Sequence, residues 1–511
     1  MLGIIQRASA NFKNTATPAG WSPQDDVPSG FSAHQSRLAV PLSTLGSFAF
    51  RSTGSYSRGT LVFERAADGH SAAGAGFGGP PGYDAAHADD KPRKEGMVDV
   101  AVEVRTNSDG LRGDCRLETI EGHERAGLSL TTPSSTSVTR IGASLSYHIT
   151  VTLPSTFTSL DTLSVETTGF RVILAPSLSS VDITSLVIST TDAPIILSST
   201  RCGTASLKNQ NLLDPNKHAL KNFDDLVQGS LSAQGRIDIQ CENGPVSGAY
   251  TTPGALVVAT TNFSVKGEFK GATVRISTQN AEVSGRFDAR RDIVVVTQHG
   301  KVEGVFRAPA GCEVKGQYVG VKGEFDVGSH LRLLTSVFRI DATIRLLSPA
   351  SSTTSPAGAA PVTRTLSNAT SSTAADLPPT FEDALASSSA SGAALGVVTV
   401  QAETTDAGVE LVFPEAVPSD CALRATARSS GGSRVAVTHA RGWEGRFSAS
   451  TTITHTASLS SLANASSPIH YDTQKRSEVA GFVGSGAGAG AGDGRNRTHV
   501  ESDGPVEIVL L

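Results

Sequence analysis

A chain of 511 residues could hold about three average domains, yet only 5% of it is aromatic, with two Met and two Trp against 51 Gly. That composition suits thin layers and polar loops better than one thick core. A formal charge of -5 leaves no electrostatic footprint for nucleic acid or an anionic membrane, and both partner classes are set aside.

The chain opens Met1-Leu2-Gly3-Ile4-Ile5-Gln6-Arg7, an apolar run of four residues with no cleavage pattern behind it. Nowhere is there a run of about 18 apolar residues. The expectation is a soluble intracellular protein with no transmembrane segment. Residues 1–96 read as mostly disordered: polar to residue 37, then Gly-, Ala- and Pro-rich from Gly69 to Gly96, with strand patterns only at 47–51 and 60–65. The linker contains Pro80-Pro81-Gly82-Tyr83. It matches the Pro-Pro-x-Tyr pattern that WW domains bind by docking a preformed polyproline helix and the Tyr ring into aromatic grooves. Pro80, Pro81 and Tyr83 are therefore candidate protein-binding residues, with a WW-domain protein as partner. Pro378-Pro379-Thr380-Phe381 repeats the pattern without the phenolic hydroxyl and is expected to bind more weakly.

From Met97 the pattern is strand-like. Two alternating apolar positions and a Thr are followed, after a short spacer, by a second alternation, as in Leu163, Val165, Thr167, Val172, Leu174 and Leu186, Ile188, Thr190, Ile195, Leu197. Between Gly229 and Arg345 this becomes a strict repeat. Gly229, Gly248, Gly267, Gly285, Gly304, Gly323 and Ala342 stand 19, 19, 18, 19, 19 and 19 residues apart. The motif Val-x-Gly-x-Phe, seen at Val265, Val283, Val302 and Val321, alternates with runs such as Val274, Ile276, Thr278. Each unit holds two short strands and two turns and cannot bury its inward residues alone, so units must stack. The expected fold is all-β, a parallel β-solenoid of about 19-residue rungs over residues 97–511. Loop insertions are expected at 198–228, 348–396 and 456–495, the first with a helix candidate at Asn216 to Val227. Phe269, Phe287, Phe306 and Phe325 are expected to form one interior row. Glycine sits between two large inward residues, where it leaves room for a neighbouring ring or a bend.

Lys270, Asp288, Arg307, Asp326 and Arg345 succeed one another on the outside, and alternating sign in register reads as a solvated charge ladder. The five cysteines, Cys115, Cys202, Cys241, Cys312 and Cys421, show no metal or disulfide spacing and read as small core residues.

The repeated Val-x-Gly-x-Phe followed by Leu-x-Val-x-Thr resembles the adhesin or head-GIN-like β-strand repeat domains, including fungal members of unassigned function. The resemblance covers roughly 97–511 and is architectural. It implies a right-handed parallel β-helix and carries no catalytic residue over.

Chemistry is sparse. Asp288, Arg290, Arg291, Asp292 and His299 cluster in sequence, but the nearest carboxylate pair on one wall, Asp288 and Asp326, has Arg307 between its members, unlike a glycosidase pair. Asp224-Asp225 lacks the alternating oxygen ligands of a calcium loop. His299, His330 and His439 have no i, i+4 partner for a metal, and no phosphate or dinucleotide loop occurs. No catalytic, cofactor or metal residue is assigned. Four sequons, at Asn262, Asn368, Asn464 and Asn496, are about what chance provides. The function expected is a non-enzymatic scaffold or binding module, with a surface adhesin or a polysaccharide-processing β-helix enzyme as the alternative.

Overall fold

The computed structural model describes residues 22–24, 31–41, 46–67, 97–107, 115–121, 126–133, 144–210, 227–348, 396–452, 455–461, 468–484 and 495–511. Pro80, Pro81 and Tyr83, the helix candidate up to residue 226 and the second Pro-Pro motif lie outside them. The described chain is almost all β, with a predominantly parallel core, and its one helical turn is 3-10, Pro176–Ser180.

The 19-residue repeat explains the core. Each unit gives one strand to each of two parallel ladders. In the first, Val246↔Val265↔Val283 and Val302↔Val321↔Ile340 stand in register. In the second, Leu256↔Val274↔Ile293↔Cys312↔Leu331 do. Inward residues alternate with outward ones along most of the repeat strands. Tyr250, Phe269, Phe287, Phe306 and Phe325 form a single buried row, with successive rings stacked at 5.6, 5.4, 4.8 and 4.9 Å.

The glycine column has a sharper cause than spare room. Gly229, Gly248, Gly267, Gly285 and Gly304 have φ between +127° and +156°. A Cβ on Gly267 would stand 1.9 Å from the carbonyl oxygen of Gly248, its counterpart one unit earlier. The strand bends there, and the bend aims the side-chain direction along the ladder into the next backbone, so a residue without a side chain is required.

The Thr ending a second-ladder strand is explained at several corners by its hydrogen bond, although Thr167 and Thr404 make none. It faces inward at the corner, where the turn leaves carbonyl groups that water does not reach. Thr190 Oγ1 donates to Ala193 O at 2.8 Å, Thr260 Oγ1 to Phe263 O at 2.8 Å and Thr335 Oγ1 to Val319 O at 2.6 Å.

Stacking order departs from chain order at both ends. Ser47–Thr53 and Gly59–Arg65, inside the stretch expected to be mostly disordered, form a unit between the strands Ala126–Thr131 and Leu145–Leu153 on one side and Ser159–Thr168 and Phe170–Leu174 on the other. Arg497–Ser502 and Val506–Leu510 likewise lie between Cys421–Ser429 with Val435–His439 and Gly445–Thr451 with Ala457–Ser461. Antiparallel strands then cover the exposed edges. Met97–Thr106, whose alternation resembles a unit strand, pairs antiparallel with Leu145–Leu153 and is itself covered by Ser32–Pro41. Alternation at period two does not encode strand direction. Two expected insertions are partly strand. Ile195–Gln210 runs on through residue 198, its polar Asn209 buried and donating to Thr190 Oγ1 at 2.9 Å. Ala457–Ser461, Ile469–Lys475 and Glu478–Val483 lie within 456–495. Small and polar inward residues hid these strands from a hydrophobic pattern.

Candidate functional site

Where second-ladder strands turn towards the first ladder, six successive units form a groove of about 720 Å³. It is built from three columns. The outward column is Val296, Lys315, Leu334, Glu403, Arg428 and Glu501, consecutive in register. Beside it runs the column at the strand ends, Thr297, Gly316, Thr335, Thr404, Ser429 and Ser502, buried at every position but Gly316. The third column, Gln298, Gln317, Ser336, Thr405, Ser430 and Asp503, begins the turn. The middle column is sunk because most of its side chains face inward; Thr335, Ser429 and Ser502 donate to the carbonyls of Val319, Ala407 and Ser433 at 2.6, 2.8 and 2.8 Å. Its neighbours stand on either side, so the corner is concave. Five unit spacings of about 4.8 Å give a length of about 24 Å.

Three of the charges in the groove are mutually engaged. Arg428 lies 3.7 Å from Glu403 and 3.2 Å from Glu501. The Thr404 hydroxyl, in the floor, is buried and has no hydrogen-bond partner. Aromatic residues follow the third column: His299 stacks on Tyr318 at 4.9 Å, Tyr318 is 45% exposed and Phe338 is 49% exposed.

The residues singled out from sequence do not gather here. Asp288 stands in register with Lys270 on the first ladder, whereas Asp292 stands with Thr273 and Gly311 on the second. Asp326 is separated from Asp288 by the unit of Arg307 and lies 3.6 Å from Arg345, as in a charge ladder. Among the described residues no cluster of three His, Cys, Asp or Glu could hold a metal. His439 is fully buried, stacked on Phe413 at 5.1 Å and Trp443 at 4.4 Å, with Nε2 2.9 Å from Thr498 Oγ1. None of the five cysteines is in a disulfide; all but Cys115 are buried, and Cys115 Sγ accepts from the Tyr147 hydroxyl at 2.8 Å. Burial pushes the Cys202 and Cys241 thiols up to about 12, away from reactivity.

Two sequon asparagines have structural work. Asn262 Nδ2 donates to Asn243 Oδ1, and Asn280 Nδ2 donates to Asn262 Oδ1 at 2.8 Å. Asn496 Nδ2 donates to Glu444 O at 2.8 Å while its Oδ1 accepts from Leu423 N at 3.0 Å. Both amide nitrogens are committed to the fold.

No protein-family profile, curated protein or solved structure matches the chain. Among the described residues no helix is long and apolar enough to cross a membrane.

Proposed function

We propose that this protein is a parallel β-solenoid acting as a non-enzymatic binding module, with the six-unit groove as its working surface. One observation carries the reading. The groove repeats along the stacking direction, so it presents equivalent positions to an elongated ligand, whereas a reaction centre needs titratable groups converging on one point. Its carboxylates Glu403 and Glu501 both lie against Arg428, an arrangement of a charge ladder more than of an acid-base pair. A polysaccharide-processing enzyme is the alternative, and turnover separates the two. Incubation with neutral and acidic polysaccharides is expected to release no new chain ends. Release abolished by Glu403→Gln would replace the binding reading with the enzymatic one.

The Pro80-Pro81-Gly82-Tyr83 motif supplies a second contact of its own kind, a WW-domain protein docking on the polyproline segment. A peptide spanning Gly76 to Ala86 is expected to bind a WW domain at micromolar strength, about -8 kcal/mol. Equal binding by a Tyr83→Ala peptide would remove that partner. The adhesin-like alternative is supported by the repeat motif alone, and the location of tagged protein in cytosol or cell wall tests it.

A further inference from the structure

We infer that the groove takes an uncharged glycan chain, extended along the stack with about one sugar ring per unit. This rests on the reading of the groove as a binding surface and adds the class of ligand.

Charge narrows the choice first. Two cations, Lys315 and Arg428, stand against three carboxylates, Glu403, Glu501 and Asp503. Arg428 is already paired with two of the carboxylates. A sulfated, phosphorylated or uronic chain would meet more negative than positive charge and would have only Lys315 to pair with, so polyanions are disfavoured. Nor is there an acidic cluster dense enough to hold a polycation.

Backbone geometry then disfavours an extended peptide. Peptides that lie along a sheet gain affinity by hydrogen bonding to an unpaired strand edge. The strands beneath this groove are interior to the ladder: Gly396–Thr404, for example, pairs with His330–Leu334 on one side and Cys421–Ser429 on the other. The groove therefore offers side chains and no backbone edge.

What it does offer suits a hydroxyl-rich chain. Gln298 and Gln317 carry both donors and acceptors, Ser336 carries a hydroxyl, and Thr405 and Ser430, whose hydroxyls donate to Ser336 O and Thr405 O, keep acceptor lone pairs. Beside them stands the exposed Tyr318, its ring stacked face to face on His299 of the preceding unit and so turned edge-on to a chain running along the stack. The unit spacing of about 4.8 Å is close to the length of one pyranose residue, so successive rings can meet successive units in similar positions.

The test is calorimetric titration of the full chain with cello-, xylo- and manno-oligosaccharides from dimer to octamer. At least one neutral series is expected to bind, with affinity rising to about six rings, the number of units in the groove, and level beyond. Gln298→Ala and Gln317→Ala, both in the groove lining, are each expected to weaken binding at least tenfold. Lys266→Ala, exposed on the first ladder, is expected to leave it unchanged, with thermal melts confirming that every variant folds. Binding confined to polygalacturonate or heparin, or to an extended polypeptide, would overturn the uncharged-glycan class while leaving a binding module. Failure of all these probes would overturn both readings.

Discussion

Phe306 and Arg307 are neighbours in sequence and opposites in consequence. Phe306 is wholly buried between Phe287 and Phe325, so Phe306→Ala leaves a gap in a stacked row and is expected to cost about 3 to 5 kcal/mol. Arg307, on the exposed side, is expected to cost under about 1 kcal/mol when cut to Ala. Denaturant midpoints that ranked them the other way would reverse the assignment of faces. Gly267→Ala tests the bend: a side chain at φ +139° costs about 1 to 3 kcal/mol from conformation alone, before the collision with Gly248 O. His439 makes stability depend on pH. Burial lowers its pKa to about 3, so the native state keeps it neutral while the unfolded chain takes up a proton below about 6.5. Its contribution is full above about pH 6.5 and is lost as pH falls towards 3, about 2 to 3 kcal/mol by pH 4.5. His439→Phe, which suits the ring stack but leaves Thr498 without that partner, is expected to be the less stable protein at pH 7 and the more stable below pH 5. Parallel pH curves for the two would show that His439 is not held neutral.

At the scale of the strand and its turn, the hydroxyl column can be tested within itself. Thr335 caps Val319 O, so Thr335→Val strands a buried carbonyl and is expected to cost about 1 to 3 kcal/mol. Thr404 stands in the equivalent place with no partner, so Thr404→Val removes an unpaired buried hydroxyl and is expected to leave stability unchanged or raise it by up to about 1 kcal/mol. Equal losses would mean that the hydroxyls do not act through the turn carbonyls. The strands of the strict repeat were legible because Val-x-Gly-x-Phe returns every 18 or 19 residues and the period alone implies parallel stacking. Strands such as 202–210 escaped because Asn209 replaces an apolar inward residue. The groove escaped for a different reason. Its Thr residues were visible as a signature, but recognising a column requires placing Thr335, Thr404, Ser429 and Ser502 in register, and long intervening segments such as residues 349–395 break the period between them. The antiparallel edges and the WW motif mark the same boundary: direction of pairing and partner choice are not written in hydrophobic alternation.

For the whole molecule, stacking out of chain order changes what a truncation does. In a stack laid down strictly in sequence, removing the last two strands removes only the last unit. Here, deleting residues 495–511 takes out the layer between Cys421–Ser429 and Gly445–Thr451. Hydrogen exchange is therefore expected to show amides of 446–461 losing protection together with those of 424–439, and loss confined to one side would contradict the pairing. The same feature has a kinetic side. Ala457–Ser461 leaves the ribosome some time before its parallel neighbour Val506–Leu510, an interval on the order of 2 to 10 s at about 5 to 20 residues/s. Until then two strand edges face each other across an empty slot, and unpaired edges recruit whatever strand is at hand. A second copy carries the matching segment, so chains refolded together at high concentration are expected to exchange residues 497–510 and trap as domain-swapped dimers, in a proportion that rises with concentration during refolding and not with concentration afterwards.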